Sequence, residues 1–341
     1  MSTRAVLLSM AGLGLLAAPC GGMRMPSLPR DAQSAVELAE TVGDTYQDNS
    51  RCNKLGADIA VAEEYALGGS VAINWVQRGG GLMLTGAGEP LHQYINVVGK
   101  NLAAQSPRPT LSWTFGVLED PQAFDAVSAP GGYVFVTRRL LQGVENEAQL
   151  AGVLAHEIAH ITGKHALMRY GQVKVGQCQA AMGFKAGKKV GGQLGLDLTP
   201  ASVDALLATL KEGSGGFLDL DKQPELLTKL TDEAVDSIVE NGFGKEDEYA
   251  ADELALRLMA SAGYDPQEFI RFLGKIPDSG GVYSNHPRKA DRVNRLKKLL
   301  DAAKTSSEDF PELPASTSGL ARPPLPASFS VVKGSAAGGK P

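Results

Sequence analysis

The chain has 341 residues, of which 43% are hydrophobic, and its formal net charge is −5 at pH 7. This length and composition support a buried core of one or two domains and exclude a collagenous or globally disordered chain. The lysines and arginines are scattered instead of being gathered in a basic stripe, so we expect no nucleic acid among its partners.

The first residues are typical of a bacterial export signal. Arg4 precedes an apolar run over residues 5–18, which is too short for a standard membrane span, and small residues lead up to Cys20. Cys20 is a candidate lipid-anchor site, although Pro19 stands where lipoproteins have a small residue; ordinary cleavage and an uncleaved anchor are the alternatives. We predict that residues 1–20 are a signal peptide or lipoprotein signal and that the chain is exported to the periplasm. A lipid on Cys20 would be its only membrane contact and would anchor it to the outer membrane.

Cysteine usage agrees with export. Apart from Cys20, Cys52 and Cys178 remain as an even pair for an oxidising compartment. We predict a disulfide between them, which would tie the N-terminal segment to the central region. Two buried thiols are the alternative.

Helical periodicity gives way to a short extended region and then returns. Apolar residues recur three and four positions apart in three predicted helices, residues 31–47, 54–77 and 91–105. Two stretches rich in β-branched and aromatic residues are predicted strands of a small sheet, residues 110–120 and 124–141, the second opened by Gly131 and Gly132. From Glu145 onward the pattern is helical again, which indicates an α+β fold.

The domain organisation follows from these patterns. Residues 31–300 are predicted to form one folded domain. Residues 301–341 are dense in proline, serine, glycine and alanine, and they are predicted to be a disordered or loosely docked tail.

Residues 153–165, with the sequence VLAHEIAHITGKH, hold three of the five histidines of the chain. On a helix, His156 and His160 are one turn apart on the same face, so both imidazoles can reach one ion at about 2 Å. Glu157 would project beside the metal, where it can take a proton from bound water. A solvated polar face is the alternative, but the surrounding apolar run makes the unpartnered burial of these side chains unfavourable. His165 falls off the ligand face, and we expect it to have a structural role or to support a ligand; direct metal binding is the alternative.

A third ligand must come from elsewhere, because catalytic zinc usually has three protein ligands and leaves the fourth position to water. The best candidate stretch is residues 244–266, in which Glu248 and Asp252 are one helical turn apart. Glu248 would bind the metal, while Asp252 would accept an imidazole N–H and orient that ligand. The alternative is an acidic helix N-terminus favoured by the helix dipole, which is our interpretation of Glu246 and Asp247.

Four stretches, in this order, resemble metallopeptidase family forty-eight: SAPGGYVFVTRRLL, NEAQLAGVLAHEIAHITGKH, EDEYAADELALRLMASAGYDP and SNHPRKADR. The family includes membrane-embedded CAAX prenyl proteases, the heat-shock protease HtpX, and soluble periplasmic proteases of outer-membrane protein quality control. The resemblance runs from about Leu55 to Leu300. It is greatest to the exported, lipoprotein-like branch, because the multiple membrane spans of the other branches are missing.

The resemblance implies a zincin-like (gluzincin) fold that is mostly helical with a small sheet, and one zinc ion per chain. It assigns the ligands His156, His160 and Glu248, the general base Glu157, and the supporting carboxylate Asp252. It also places His286 and Arg292 at the active site, where either would donate to the oxyanion, or His286 would occupy the open zinc position and hold the enzyme latent. Without the resemblance, the sequence indicates only that His286 is a loop residue and that Arg292 is a surface cation.

The glycine-led strand is also a candidate substrate site. Gly131, Gly132, Tyr133 and Val134 would form an edge on which an extended substrate adds by main-chain hydrogen bonds. A buried structural strand is the alternative. Residues 170–245 form either a gate over the cleft or a peripheral helical hairpin.

The implied function is a zinc-dependent endopeptidase that hydrolyses exported, misfolded or unassembled envelope proteins. The alternative function is a periplasmic chaperone or assembly factor that uses the same cleft with little proteolysis. A purely structural zinc fits less well, because structural sites usually close with cysteines.

Overall fold

The computed structural model of the chain describes residue 50 and residues 52–54, 56–57, 59–84, 86, 88–192, 243–276, 289–305 and 319–333. All of them belong to one compact unit that runs from Asn49 to Pro341. The export signal, the first predicted helix and His286 lie outside these residues. So do residues 193–242, which make up most of the segment predicted to be a gate or a helical hairpin.

Helices surround one small sheet. The N-terminal elements are α1 (Val61–Arg78), α2 (Gly88–Ala104), β1 (Thr114–Leu118), β2 (Ala126–Ala129) and β3 (Tyr133–Thr137). The following helices are α3 (Arg138–Gly143), α4 (Glu147–Thr162), α5 (His165–Gly192), α6 (Lys245–Ser261), α7 (Gln267–Leu273) and α8 (Lys289–Thr305). A 3-10 turn (Ala327–Phe329) and the short α9 (Ser330–Lys333) come last. A mostly helical α+β fold with a small sheet is therefore confirmed.

The sheet has the strand order β1-β3-β2, with β3 parallel to β1 and antiparallel to β2. Gly131 and Gly132 have φ angles of 80° and 105°, which residues with a Cβ rarely adopt, and they reverse the chain between β2 and β3. The predicted strand that these glycines open is β3, whereas the rest of residues 124–141 contains the separate strand β2 and the start of α3, which were not predicted.

The prediction that the glycine-led strand is a sheet edge is wrong. Because β3 pairs with β1 on one side and β2 on the other, Tyr133 and Val134 lie in the central strand, and the Val134 side chain is fully buried. The alternative of a structural strand is confirmed. Among the residues that the structure describes, the open edge next to the hairpin belongs to β2.

Helix α4 is the centre of the fold. Asn146 caps it by accepting a hydrogen bond from the backbone N–H of Gln149, and every residue from Ala148 to Ile161 is buried. Helix α6 is packed along α4, and α2, α7 and β2 contact it from other sides. Gly152 allows close approach of α7, because a Cβ there would lie 2.6 Å from the Cβ of Phe269. The two predicted histidine ligands are therefore on the most buried helix of the described chain.

The prediction of a disordered or loosely docked tail is wrong for residues 319–333. Pro324 forms a bridge with Asn146, and the side chains of Phe329 and Val332 are buried in the main core. Phe329 meets the ring of Tyr94 edge to face, with the ring centroids 5.9 Å apart. A few apolar anchors hold this segment, and such a sparse pattern has no helical or strand periodicity to detect.

The predicted disulfide between Cys52 and Cys178 is confirmed. It joins the segment before α1 to α5, and a buried ion pair reinforces this contact, since Lys174 Nζ lies 2.6 Å from Glu63 Oε1. The Tyr170 hydroxyl donates to the same oxygen at 2.9 Å. None of the helices in the described ranges is both long and apolar enough to cross a membrane.

Two adjacent glycines of α1 offer a test of how the hairpin is held. A Cβ on Gly68 would lie 1.9 Å from the carbonyl oxygen of Pro130 in the β2–β3 turn, whereas a Cβ on Gly69 would meet nothing within 4 Å. We expect Gly68→Ala to lower the free energy of unfolding by about 1–3 kcal/mol through overpacking. Gly69→Ala should raise it by about 0.5–1 kcal/mol, because alanine is the better helix former. Urea unfolding of both variants measures this difference, and equal effects would contradict the close contact.

Candidate active site

Three side chains converge on one buried point. His156 and His160 come from α4 and Glu248 from α6, and among the described residues they are the group of metal-binding type whose ligand atoms lie within 4.8 Å of one another. The two histidine Nε2 atoms are 3.1 Å apart, and the Glu248 oxygens lie 3.5 Å from His156 Nε2 and 3.4 Å from His160 Nε2. Zinc binds such ligands at about 2.0–2.1 Å, which separates two tetrahedral ligands by roughly 3.3–3.4 Å. The donor set therefore fits a tetrahedral zinc ion with one position left over.

Small residues let α6 approach α4. Ala251 and Ala255 face α4 and are buried, whereas Ala250 is exposed on the opposite side. At the start of α6, Asp247 accepts a hydrogen bond from the backbone N–H of Gly244 at 3.2 Å. This contact agrees with our interpretation of Asp247 as a helix N-terminal residue.

A carboxylate and a guanidinium lie behind the first histidine. Asp252 Oδ1 is 3.1 Å from Nδ1 of His156, the nitrogen that points away from the ligand cluster. Arg292 on α8 donates to both Asp252 oxygens, from Nε at 2.8 Å and from Nη2 at 2.6 Å. Arg292 is buried, so the residue-based interpretation as a surface cation is wrong, and the structure places it at the site as the resemblance implies.

The charges of this group shift its protonation. Burial works to raise the pKa of Asp252, but the adjacent Arg292 guanidinium outweighs it and lowers that pKa. Burial works to lower the pKa of His156, but hydrogen bonds with Asp252 and Glu248 raise it to about 9. Asp252 is therefore held as a carboxylate with one oxygen 3.1 Å from Nδ1 of His156, while two of the Arg292 donors are directed at Asp252.

Glu157 lies next to the ligands on the same helix and is almost completely buried, with 4% of its surface exposed. Burial raises the pKa of Glu157 to about 7, against the opposing effects of His156 and of a hydrogen bond with Ser128. A carboxyl group with a pKa near neutrality can both accept and return a proton. Beside a bound metal, such a group could act as a general base.

The second histidine ligand has different neighbours. His165 Nδ1 lies 2.8 Å from His160 Nδ1, and the Phe243 ring is stacked on the His160 ring with a centroid separation of 4.3 Å. The expectation that His165 supports a ligand agrees with this contact. Sequence reasoning missed Phe243, whose one signal is an aromatic side chain just before the helix that carries Glu248.

Strand β2 borders the site. Ser128 contacts Glu157, and a small pocket beside His160 is enclosed by the end of β2, Ile161, Leu167 and Phe243. The structure therefore assembles His156, His160, Glu157, Glu248, Asp252 and Arg292 at one point. It does not bring the central strand β3 to the site as an edge.

The family model of Peptidase family M48 matches residues 90–300, more than half of the chain. The chain belongs to Peptidase family M48. The family and its class, the metallopeptidases, are thereby confirmed as predicted.

Relatives within the family come from several branches. The chain is 26% identical over 241 residues to the "Beta-barrel assembly-enhancing protease" of Escherichia coli, which covers 67% of this chain and 44% of that protein. It is 25% identical over 226 residues to the "Mitochondrial metalloendopeptidase OMA1" of Schizosaccharomyces pombe, and this match covers 64% of this chain and 56% of that protein. It is 26% identical over 232 residues to the "Protease HtpX homolog" of Aquifex aeolicus, and this match covers 61% of this chain and 71% of that protein. The chain thus spans less than half the length of the Escherichia coli relative.

Proposed function

We propose that the chain is a zinc-dependent endopeptidase with a zincin-like (gluzincin) fold. The observation that carries this proposal is the tetrahedral spacing of three buried donors beside a buried carboxyl group on the same helix. Membership of a metallopeptidase family supports it.

Each residue of the site has a part in peptide hydrolysis. One zinc ion held by His156, His160 and Glu248 would lower the pKa of water to near 7 and polarise the peptide carbonyl. Glu157 takes a proton from the attacking water and returns it to the leaving amine, which its pKa near 7 allows. Asp252 fixes the orientation of the His156 ring by accepting its Nδ1–H.

The substrate binds along β2 in this proposal. The backbone N–H of Thr137 donates to the carbonyl of Asp125 at 3.0 Å, which makes these residues a hydrogen-bonded pair of the antiparallel hairpin. Because such pairs alternate along a ladder, the backbone groups of Ala126 and Ser128 point away from β3 towards the open edge. An extended peptide that pairs with Ser128 would lie beside Glu157.

Ser128→Pro tests this binding mode. Proline removes the backbone N–H of Ser128. The hairpin loses no hydrogen bond, because this N–H points away from β3. We expect kcat/KM for an unstructured substrate to fall by the equivalent of about 1–3 kcal/mol, because one main-chain partner is lost. Ser128→Ala keeps the N–H and is the control; a fall of the same size in both variants would contradict edge pairing and implicate the hydroxyl.

The substrates are proposed to be exported, misfolded or unassembled envelope proteins. The disulfide between Cys52 and Cys178 supports an oxidising compartment, in agreement with the signal predicted at residues 1–20. The name of the Escherichia coli relative, a β-barrel assembly-enhancing protease, supports a role in the envelope. We further propose a periplasmic location, with lipid on Cys20 as the anchor to the outer membrane.

Zinc content and proteolysis measured together test the function. The purified chain is expected to bind one zinc ion and to cleave casein and an unfolded outer-membrane protein, and removal of zinc with a chelator should abolish cleavage. Zinc binding without cleavage would contradict a constitutive peptidase. His286→Ala then separates the two remaining cases, because cleavage by this variant would reveal latency and continued inactivity would indicate a chaperone.

A further inference from the structure

Both ring nitrogens of His160 contact another polar atom. Its Nε2 faces the ligand cluster, and its Nδ1 lies 2.8 Å from Nδ1 of His165, a residue that is itself buried. An imidazole that binds a metal through Nε2 carries its proton on Nδ1. With a metal on Nε2, His160 would donate this proton to Nδ1 of His165, and His165 would accept it as a neutral ring with its own proton on Nε2.

The turn between α4 and α5 places His165 in this position. Gly163 has no room for a side chain, because a Cβ there would lie 2.5 Å from Nε2 of His165. Lys164 has a φ of 58°, a left-handed backbone conformation that residues with a Cβ rarely adopt. Such local strain persists where the surrounding structure requires it, and here it turns His165 back onto His160.

A third ring covers the pair. Phe243 stacks on His160 with an interplanar angle of 23°, and its centroid lies 5.8 Å from that of His165. Phe243 stands five residues before Glu248, so the segment that delivers the third metal ligand also delivers the ring that packs on the second. His160 thus cannot rotate without displacing an aromatic ring on one side and breaking a hydrogen bond on the other.

We propose that His165 and Phe243 are positioning residues that fix the His160 ring for metal binding and thereby set the metal affinity. His165 and Phe243 would support His160 as neutral side chains, whereas the charged side chains of Asp252 and Arg292 lie behind His156. This difference has a physical reason, because the site already contains the carboxylates of Glu157, Glu248 and Asp252. A further carboxylate behind His160 would add to this buried negative charge. The inference rests on the proposed metal site and not on peptide cleavage.

Metal affinity and a cobalt spectrum test the proposal in the whole chain. The zinc dissociation constant is measured by competition with a chromophoric chelator, and the visible absorption of the Co²⁺ form reports the geometry at the metal. We expect His165→Ala and Phe243→Ala each to weaken zinc binding about 10–100-fold and to alter the cobalt spectrum. His92→Ala, which removes a half-buried histidine of α2 outside the site, should match the wild type.

Conservative variants separate positioning from general packing. His165→Asn offers an oxygen that can accept the His160 proton and should retain most of the affinity, whereas His165→Phe fills the space without an acceptor and should lose it. Phe243→Tyr keeps the stacked ring and should behave like the wild type. These variants also decide the matter if an alanine variant does not fold. Unchanged zinc affinity and cobalt spectra in folded His165→Phe and Phe243→Ala would overturn the proposal, whether or not the wild type cleaves peptides.

Discussion

Glu157→Gln is expected to reduce peptide hydrolysis by about 10²–10⁴-fold while zinc still binds, because general acid–base catalysis contributes on that order. Glutamine has nearly the same shape as glutamate but cannot take a proton from water. The three ligands do not include Glu157, so the metal site should remain intact. The pKa of Glu157 near 7 is what suits it to this role, and that pKa follows from burial within the most enclosed helix of the described chain.

The measurement compares kcat and zinc content for the wild type and the variant side by side. Glu246→Gln is the matched control, since Glu246 is exposed at the start of α6, two residues before the proposed metal ligand Glu248. Its activity should equal that of the wild type. If Glu157→Gln retained full activity with zinc bound, another group would have to be the base. If it still replaced the wild type in cells while unable to cleave, binding of client proteins would be the function.

The core of the site could be predicted because it depends on local spacing. His156 and His160 are four positions apart, about one helical turn, and so are Glu248 and Asp252. Each pair therefore shares a helix face whatever the rest of the fold is. The usual three protein ligands of catalytic zinc then indicated that an acidic residue elsewhere in the chain completes the site. Both inferences needed only the geometry of a helix and the ligand preferences of zinc.

The contacts around this core could not be predicted from the residues alone, because they arise from tertiary packing. Arg292 lies 40 residues from Asp252 in sequence, and nothing in the local sequence distinguishes it from the exposed Arg295 on the same helix. Phe243 shows its role only once α6 is docked on α4. The strand order had the same limit: the residues indicated extended structure near Gly131, but only the pairing shows that β2, and not β3, has the open edge.

Arg292→Met is expected to lower the free energy of unfolding of the metal-free chain by about 3–5 kcal/mol, the range found when one partner of a buried ion pair is removed. The reason is that Asp252 would remain buried with its charge no longer offset, since Arg292 Nε and Nη2 both bond it and Nη1 lies 3.9 Å from Glu248. Arg295→Met is the matched control on the same helix. Arg295 is exposed and lies 3.4 Å from Glu253, and an exposed pair contributes only about 0–1 kcal/mol.

The double variant Asp252→Leu with Arg292→Met shows whether stability and metal binding have separate origins. Replacing both charged partners with apolar side chains removes the unpaired charge, so most of the lost stability should return. Zinc affinity should not return, because the acceptor that orients His156 is absent, and we expect it to stay about 10–100-fold below that of the wild type. Urea unfolding in the presence of a chelator measures the first quantity and chelator competition the second. If zinc affinity recovered together with stability, Asp252 and Arg292 would serve the packing of α6 and α8 and would not position the ligand. A loss in Arg292→Met no larger than that in Arg295→Met would show that the buried charge of Asp252 is offset by other groups.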